Sequence, residues 1–297
     1  MKALVFGSLN IDKVYSLNHL PEKGETLSCA GYEIHVGGKG LNQSVSLSNS
    51  GADVYMAGQI GSDGIFLKEY LEKAGVNTSL IKVTDGFSGH AVIEVDPDGQ
   101  NQMILFPGAN REITPDYCDA VLENFSAGDL ILMQYETSQV EYMIEKAHEK
   151  GLVVALNPSP YVDKLKEIDY SKIDYLILNE SEGQSISGET DNDKVIEALC
   201  RRLGKGAVIF TLGGSGAIFS DGKETVKAPA FMVNAVDTTG AGDTFTGYVL
   251  NSLMNGKSPS QALRFASAAS AIAVTKPGAA ETIPTLEQVN KFLADNK

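Results

Sequence analysis

The residues best placed to do chemistry lie in one short stretch, Val236-Asp237-Thr238-Thr239-Gly240-Ala241-Gly242-Asp243-Thr244-Phe245-Thr246-Gly247. Glycines, small residues and the carboxylates of Asp237 and Asp243 precede an apolar run (Phe245, Tyr248, Val249, Leu250, Leu253) that reads as a helix. A glycine-rich turn entering a helix leaves backbone N–H groups pointing forward. With the helix dipole, these attract an anion such as a phosphate. Asp243 falls in the first turn, beside that anion site. A carboxylate there can cap the helix, or take the proton from a hydroxyl attacking a phosphate. Only the second role accounts for the whole cluster.

Other polar groups recur where apolar strand-like runs end. Asn10 and Asp12 follow the first such run, and Gly37-Gly38-Lys39-Gly40-Leu41-Asn42 opens the next helix. Glu136 follows Leu130–Met133, Asn157-Pro158 follows Val153–Leu156, and Asn179-Glu180-Ser181-Glu182 follows Leu176–Leu178. A second glycine-rich turn, Thr211-Leu212-Gly213-Gly214-Ser215-Gly216, could be an ordinary β-turn by itself, but beside Gly240–Asp243 it is expected to supply a second wall for a nucleotide. Open α/β sheets bind ligands at the carboxyl ends of their strands, so one shared crevice explains these groups better than unrelated turns. Familiar nucleotide motifs are missing: Gly37-Gly38-Lys39-Gly40 is not a Walker loop, and no G-x-G-x-x-G follows the first strand.

The elements that must position these groups alternate along the chain. Strands are expected at 3–7, 53–60, 129–133, 152–156, 175–178 and 207–211, and helices at 41–50, 63–74, 138–150, 192–203, 242–255 and 260–275. Ser138 with Glu141 suggests a capping box, and Gly51, Gly75 and Gly151 stand where helices stop. The pattern predicts an α/β fold, a mostly parallel central sheet flanked by helices on both faces. Two stretches depart from it. Residues 89–107 alternate in β fashion around the turn Asp96-Pro97-Asp98-Gly99, and residues 12–36 lack a good helix. Together they are expected to form a discontinuous β lid on a single domain spanning 1–297.

Hydrophobic residues make up 43% of the 297, enough for a large core. The net charge of −14 argues against non-specific nucleic-acid binding and means that a polyanionic ligand must be held by local dipoles or a metal. Cys29, Cys118 and Cys200 are far apart and read as reduced thiols of a cytoplasmic protein. The opening apolar run, Ala3–Phe6, is too short for a signal peptide, and no run reaches membrane-spanning length. His19, His35, His90 and His148 are scattered, which disfavours a metal-dependent hydrolase.

Over nearly its whole length the chain resembles the ribokinase family of carbohydrate kinases. The resemblance rests on Gly37–Asn42 and on Asp237–Asp243. It is strengthened by Gly7-Ser8-Leu9-Asn10-Ile11-Asp12, Pro107-Gly108-Ala109-Asn110, Met133-Gln134-Tyr135-Glu136 and the Ala271–Ala279 stretch. It implies ATP-dependent phosphorylation of an unphosphorylated sugar, ribose at O5 first, with deoxyribose, fructose or a nucleoside as alternatives. By resemblance Asp243 is the base, with Gly240, Ala241 and Gly242 forming the anion hole. Asn10, Asp12, Gly38, Lys39, Asn42 and Glu136 hold the sugar, and Glu136 would repel a sugar phosphate. Asn179, Glu182 and Thr211–Gly216 (Thr211, Leu212, Gly213, Gly214, Ser215, Gly216) meet the nucleotide, Asn179 and Glu182 forming an N-x-x-E element associated with Mg²⁺. Asp237, Thr239, Ala273, Lys276, Gly278 and Thr282 match a K⁺ site that orders the turn. The lid is expected to close over the sugar and pair two subunits into a homodimer. Ser267 stands where relatives carry a His near the adenine, Thr282 where a Ser is common, and Val36 where Phe is frequent. A catalytically silent sugar-binding protein would lack Asp243 or the anion-hole glycines, and both are present.

Overall fold

In the computed structural model, which describes residues 1–296, the chain builds two sheets. The larger has nine strands. Seven run parallel in the spatial order β5 (Asn77–Thr84), β4 (Asp53–Gly61), β1 (Lys2–Phe6), β8 (Leu130–Gln134), β9 (Val153–Asn157), β10 (Tyr175–Asn179) and β11 (Ala207–Thr211). The strands β12 (Ala217–Ser220) and β13 (Thr225–Ala228) then complete one edge in antiparallel fashion. Buried parallel strands need apolar residues on both faces, and β1 illustrates it. Ala3 and Val5 enter one core, Leu4 and Phe6 the other.

Helices cover both faces. The Ala3/Val5 side packs α1 (Lys39–Asn49), α2 (Ile65–Lys73), α7 (Ala241–Met254), α8 (Pro259–Ala273) and α9 (Leu286–Asp295). The Leu4/Phe6 side packs α3 (Pro115–Leu122), α4 (Val140–Lys150), α5 (Glu180–Ser187) and α6 (Asn192–Leu203). The predicted central strands and helices all form, with ends shifted by a residue or two. The expected Ser138/Glu141 capping box does not. The helix starts at Val140 after Gln139 in the left-handed region (φ 64°), Ser138 donates to the Ile113 carbonyl, and Glu141 accepts from the Tyr135 hydroxyl. Glu141 is instead drawn outward to Lys164 at 2.7 Å.

The smaller sheet has four strands, ordered β3 (Gly31–Gly37), β2 (Asn10–Ser16), β6 (Gly89–Val95) and β7 (Asn101–Phe106). It is built from the two stretches that broke the helical pattern. The Asp96–Gly99 turn forms as expected: Gly99 has φ 78°, and Asp96 Oδ1 accepts the N–H groups of Asp98 and Gln100 at 3.0 and 2.9 Å.

This topology places the site. From β1 the large sheet continues on one side through β4 and β5, and on the other through β8 to β11. The order reverses between β1 and β8, and a crevice opens outside their carboxyl ends. Gly7 and Ser8 leave β1 there, Tyr135 and Glu136 leave β8, and β2 carries Asn10 and Asp12 away into the small sheet.

Candidate active site

The glycine turn at the head of α1 is built by close approach. A Cβ at Gly40 would lie 2.5 Å from the Ser8 nitrogen and 2.6 Å from its carbonyl oxygen, so glycine lets the helix start against the end of β1. The Leu41 N–H then donates to the Ser8 carbonyl at 3.0 Å. α7 begins at the same end of the sheet and runs beside α1, where Ser46 Oγ donates to the Thr244 carbonyl at 2.7 Å. Two helix N-termini therefore meet at the crevice.

Gly240 caps α7 in the left-handed region (φ 71°). The Ala241 N–H turns back to the Thr238 carbonyl at 3.2 Å and the Thr244 N–H to the Gly240 carbonyl at 2.8 Å. The N–H groups of Gly242 and Asp243 have no backbone acceptor among the described residues. They are the open donors that a helix start offers an anion. Asp243 is buried, 7% exposed, and its two oxygens are held separately. Asn42 Nδ2 donates to Oδ2 at 3.0 Å and Gln43 Nε2 to Oδ1 at 2.8 Å.

A cavity of about 250 Å³ opens on this carboxylate. Lys39, Asn157, Ser159, Asn179, Glu182, Thr211, Thr238, Gly240, Gly242 and Asp243 line it, with Ile177, Leu178 and Thr246. The Lys39 ammonium is held above its ordinary value chiefly by the charge of Asp243; burial opposes this, and Glu136 and Glu182 add to it. It stays cationic in the cavity although the protein as a whole is strongly acidic.

Beside the cavity lies a second polar group. Asn10 is buried and accepts from Asn110 Nδ2 at 2.8 Å. Glu136 Oε2 accepts from the Ser8 hydroxyl and from the Lys39 N–H at 3.1 Å. Asp12 lies over Gly37, where a Cβ would come 2.2 Å from its Oδ2. Burial pushes the Asp12 carboxyl up to about 6; Glu136 and, more weakly, Glu281 add to this, while His35 opposes it. Of the predicted sugar-side residues, Lys39 and Asp243 line the cavity and Asn42 bonds Asp243, whereas Asn10, Asp12, Gly38 and Glu136 gather at its flank.

On the nucleotide side Asn179, Glu182 and Thr211 line the cavity, but Leu212, Gly213, Gly214, Ser215 and Gly216 lie outside it, Gly213–Ser215 forming a single exposed 3-10 turn. Ser267 is buried within α8 and does not reach the cavity. The N-x-x-E element is a capping box: Asn179 Oδ1 accepts from the Glu182 N–H at 2.9 Å and Glu182 Oε2 from the Asn179 N–H at 3.0 Å. No protein donor among the described residues reaches Glu182 Oε1.

The residues matched to a cation site fall in two touching loops. Asp237 Oδ1 accepts from the Thr239 N–H and hydroxyl at 2.9 and 2.7 Å, and Oδ2 from the Gly278 N–H at 2.9 Å. These bonds hold the Asp237 carboxyl below the usual carboxylate range against the partial burial that opposes them. Thr282 Oγ1 donates to the Ala279 carbonyl at 2.8 Å, and the Ala273 carbonyl accepts from the Lys276 N–H at 3.3 Å. The atoms these residues could offer a metal are carboxylate, carbonyl and hydroxyl oxygens, a set that suits a hard cation.

Gln43, Ser8 and Asn110 take part in the site although their residue types did not stand out. Gln43 and Ser8 are fully buried, and polarity at a buried position is a structural fact that spacing alone does not reveal. Ser8 and Asn110 sit in stretches picked out by resemblance, without a role of their own assigned there.

A mostly parallel α/β sheet with open helix-start N–H groups at its switch point and a buried carboxylate beside them is an arrangement suited to phosphoryl transfer to a small alcohol. The pfkB family carbohydrate kinase model matches residues 1–286, and the chain belongs to that family. It is 36% identical over 298 residues to the ribokinase of Haemophilus influenzae, with 97% of each chain covered. To the deoxyribokinase of Salmonella typhi it is 34% identical over 310 residues, with 100% of both covered. The solved structure of Arabidopsis thaliana ribokinase complexed with ribose and ATP superposes with a TM-score of 0.87 at 29% identity over 98% of both chains.

Proposed function

We propose that this chain transfers the γ-phosphoryl group of ATP to O5 of D-ribose, giving ribose 5-phosphate, with Asp243 as the base. The observation that carries this is the Asp243 carboxylate, buried beside the open N–H groups of Gly242 and Asp243 and facing the cavity. A hydroxyl placed there gives its proton to Asp243 as its oxygen bonds to the γ-phosphorus. The bond from that phosphorus to the bridging oxygen then breaks toward ADP. Transfer of this kind depends on positioning and charge stabilisation, so a weak base suffices. The anion hole is formed by the open N–H groups of Gly242 and Asp243 with Gly240 at the turn, while Ala241, expected to donate there, instead gives its N–H to the Thr238 carbonyl, and the Lys39 ammonium balances charge on the travelling group.

Asn10, Asp12, Asn42 and Glu136 face sugar hydroxyls, with the backbone of Gly38 alongside. The charge of Glu136 excludes a substrate already phosphorylated at its far end. Asn179, Glu182 and the Thr211–Gly216 turn receive the nucleotide; the free Oε1 of Glu182 is the protein's candidate contact to Mg²⁺ arriving with ATP. Asp237 with the carbonyls of Thr239, Ala273, Lys276 and Gly278, and Thr282, would hold K⁺, whose charge would stiffen the turn before α7.

The small sheet acts as a lid and as a self-pairing surface. Its outer strand β7 is exposed along its length, including Met103, Ile104, Leu105 and Phe106, and Tyr32 and Ile34 are exposed on β3. Apolar edge strands of this kind are templates for pairing, which supports a homodimer. Deoxyribose is the second reading, because a full-length relative of similar identity is named a deoxyribokinase.

An ATP-consumption panel over ribose, deoxyribose, fructose, fructose 6-phosphate and adenosine tests the assignment. The highest kcat/KM is expected with ribose and none with fructose 6-phosphate. A preference for deoxyribose or adenosine overturns the ribose reading.

A further inference from the structure

Behind the cavity, Asp243 is tied into a row of buried amides. The Gln43 amide nitrogen carries two hydrogens, and both are committed, one to Asp243 Oδ1 at 2.8 Å and one to Asn157 Oδ1 at 3.0 Å. Its carbonyl oxygen accepts from Gln134 Nε2 at 2.6 Å. Asn157 in turn donates from Nδ2 to the Ile177 carbonyl at 2.9 Å, which obliges its own oxygen to face Gln43. The row therefore runs from α7 through α1 onto the adjacent strands β8, β9 and β10.

Gln43 and Gln134 are fully buried, and neither lines the cavity. Gln43 cannot touch a sugar or a nucleotide. Asn42, the other donor to Asp243, is different: its Oδ1 is buried without a hydrogen-bond partner among the described residues, so its amide is not wholly committed to protein. Among the donors to this carboxylate, Gln43 alone is committed wholly to protein.

We propose that Gln43 is a positioning residue that fixes the carboxylate of Asp243 on the central sheet, with its unshared lone pairs turned toward the attacking hydroxyl. The inference rests on the reading of Asp243 as the base. A carboxylate in the first turn of a helix can rotate about its side-chain torsions. Gln43 holds Oδ1 and Asn42 holds Oδ2, so the plane of the group is set before the sugar arrives. The direction of each amide dipole follows from the next, and the Gln43 amide at the centre of the row has every polar atom bonded, which makes it stiff; Gln134 Oε1, at the end of the row, is buried without a partner.

The test is a double-mutant cycle of kcat and KM for ribose with Gln43→Met, Asp243→Asn and the pair. Methionine keeps the volume and removes the amide. Loss of a buried hydrogen bond to a charged group corresponds to a drop in kcat of about 10- to 100-fold, with ribose KM expected to stay within about threefold. In the Asp243→Asn background the same change should move the residual kcat by less than about twofold, because its target is already disabled. An equal fold loss in both backgrounds, or an unchanged kcat in the single variant, overturns the proposal. If Gln43→Met does not fold, Gln134→Met, which leaves Asp243 untouched, is put through the same cycle. A drop of about three- to tenfold, confined to the Asp243-containing enzyme, is expected there, and an equal drop in both backgrounds overturns the proposal. Near-normal turnover of Asp243→Asn alone contradicts the base reading whatever Gln43 does, and takes this inference with it.

Discussion

Asp12 offers a perturbation whose size follows from its surroundings. Burial first, then the nearby charge of Glu136, pushes its carboxyl up to about 6 from an ordinary value of 3.8. In its proposed role as a sugar-binding group it would accept hydroxyl hydrogens, which requires the ionised form. With a midpoint near 6 the group is about 90% ionised at pH 7 and about 10% at pH 5. The KM for ribose should therefore rise about tenfold between pH 7 and pH 5. Stability should move the other way. The folded protein binds this proton more tightly than the unfolded chain, so between pH 4 and pH 6, approximately, the native state carries more protons. The contribution of Asp12 to stability is thus greatest at low pH and is lost as pH rises through its folded value. Initial rates with saturating ATP at half-unit pH steps give KM, and melting of the sugar-free protein over the same steps gives stability. In Asp12→Asn the KM should already be high at pH 7 and no longer vary with pH. Glu136→Gln should shift the midpoint downward, since it removes the second cause of the rise. A wild-type KM that is flat from pH 5 to 7, in protein that remains folded, refutes the reasoning.

Further outcomes follow from the same geometry. Asp243→Asn should lower kcat by about a thousandfold or more while ribose affinity by calorimetry changes only a few-fold; near-normal turnover contradicts its role as base. Gly40→Ala puts a methyl group against backbone atoms of Gly7 and Ser8 that no side-chain rotation can clear. It should cost about 1–3 kcal/mol in chemical denaturation and lower kcat/KM by about tenfold or more; unchanged values in both assays contradict the close approach. Replacing Na⁺ by K⁺ at fixed Mg-ATP should raise turnover several-fold, and identical rates in both salts and in neither remove the cation site.

The central architecture was readable because parallel strands buried on both faces must be apolar throughout, as Leu130–Met133 and Val208–Phe210 are. Three helices escaped notice, α3, α5 and α9; α3 and α9 are short but amphipathic, and only α5 has a weak pattern. α5 contributes only Ile186 as a buried large apolar residue in Glu-Ser-Glu-Gly-Gln-Ser-Ile-Ser, and its start was visible only as the Asn179/Glu182 pair, which proves to be a capping box. β5 alternates too irregularly for period-2 reading, and β12 and β13 are short antiparallel additions at one edge. The false capping box at Ser138 shows the converse: a correct residue spacing lost to competition, because Glu141 finds Tyr135 and Lys164. Within the site, Asp243 and the glycine turns at Gly40 and Gly240 were legible because a helix that starts tightly against a strand end, with open N–H groups beside a carboxylate, needs those residue types at that place. Gln43 was not, because one glutamine in a helix carries no signal until the fold brings Gln134 and Asn157 to it.

The most direct test is the position of the phosphate on the product. With ribose, Mg-ATP and K⁺, ³¹P–¹H correlation spectra of the wild-type reaction should show the new phosphorus coupled to both H5 protons of the sugar. Asp243→Asn should give the same product only at its residual rate. Coupling to the anomeric proton, or ATP loss equal with and without sugar, would contradict transfer to a primary hydroxyl beside Asp243.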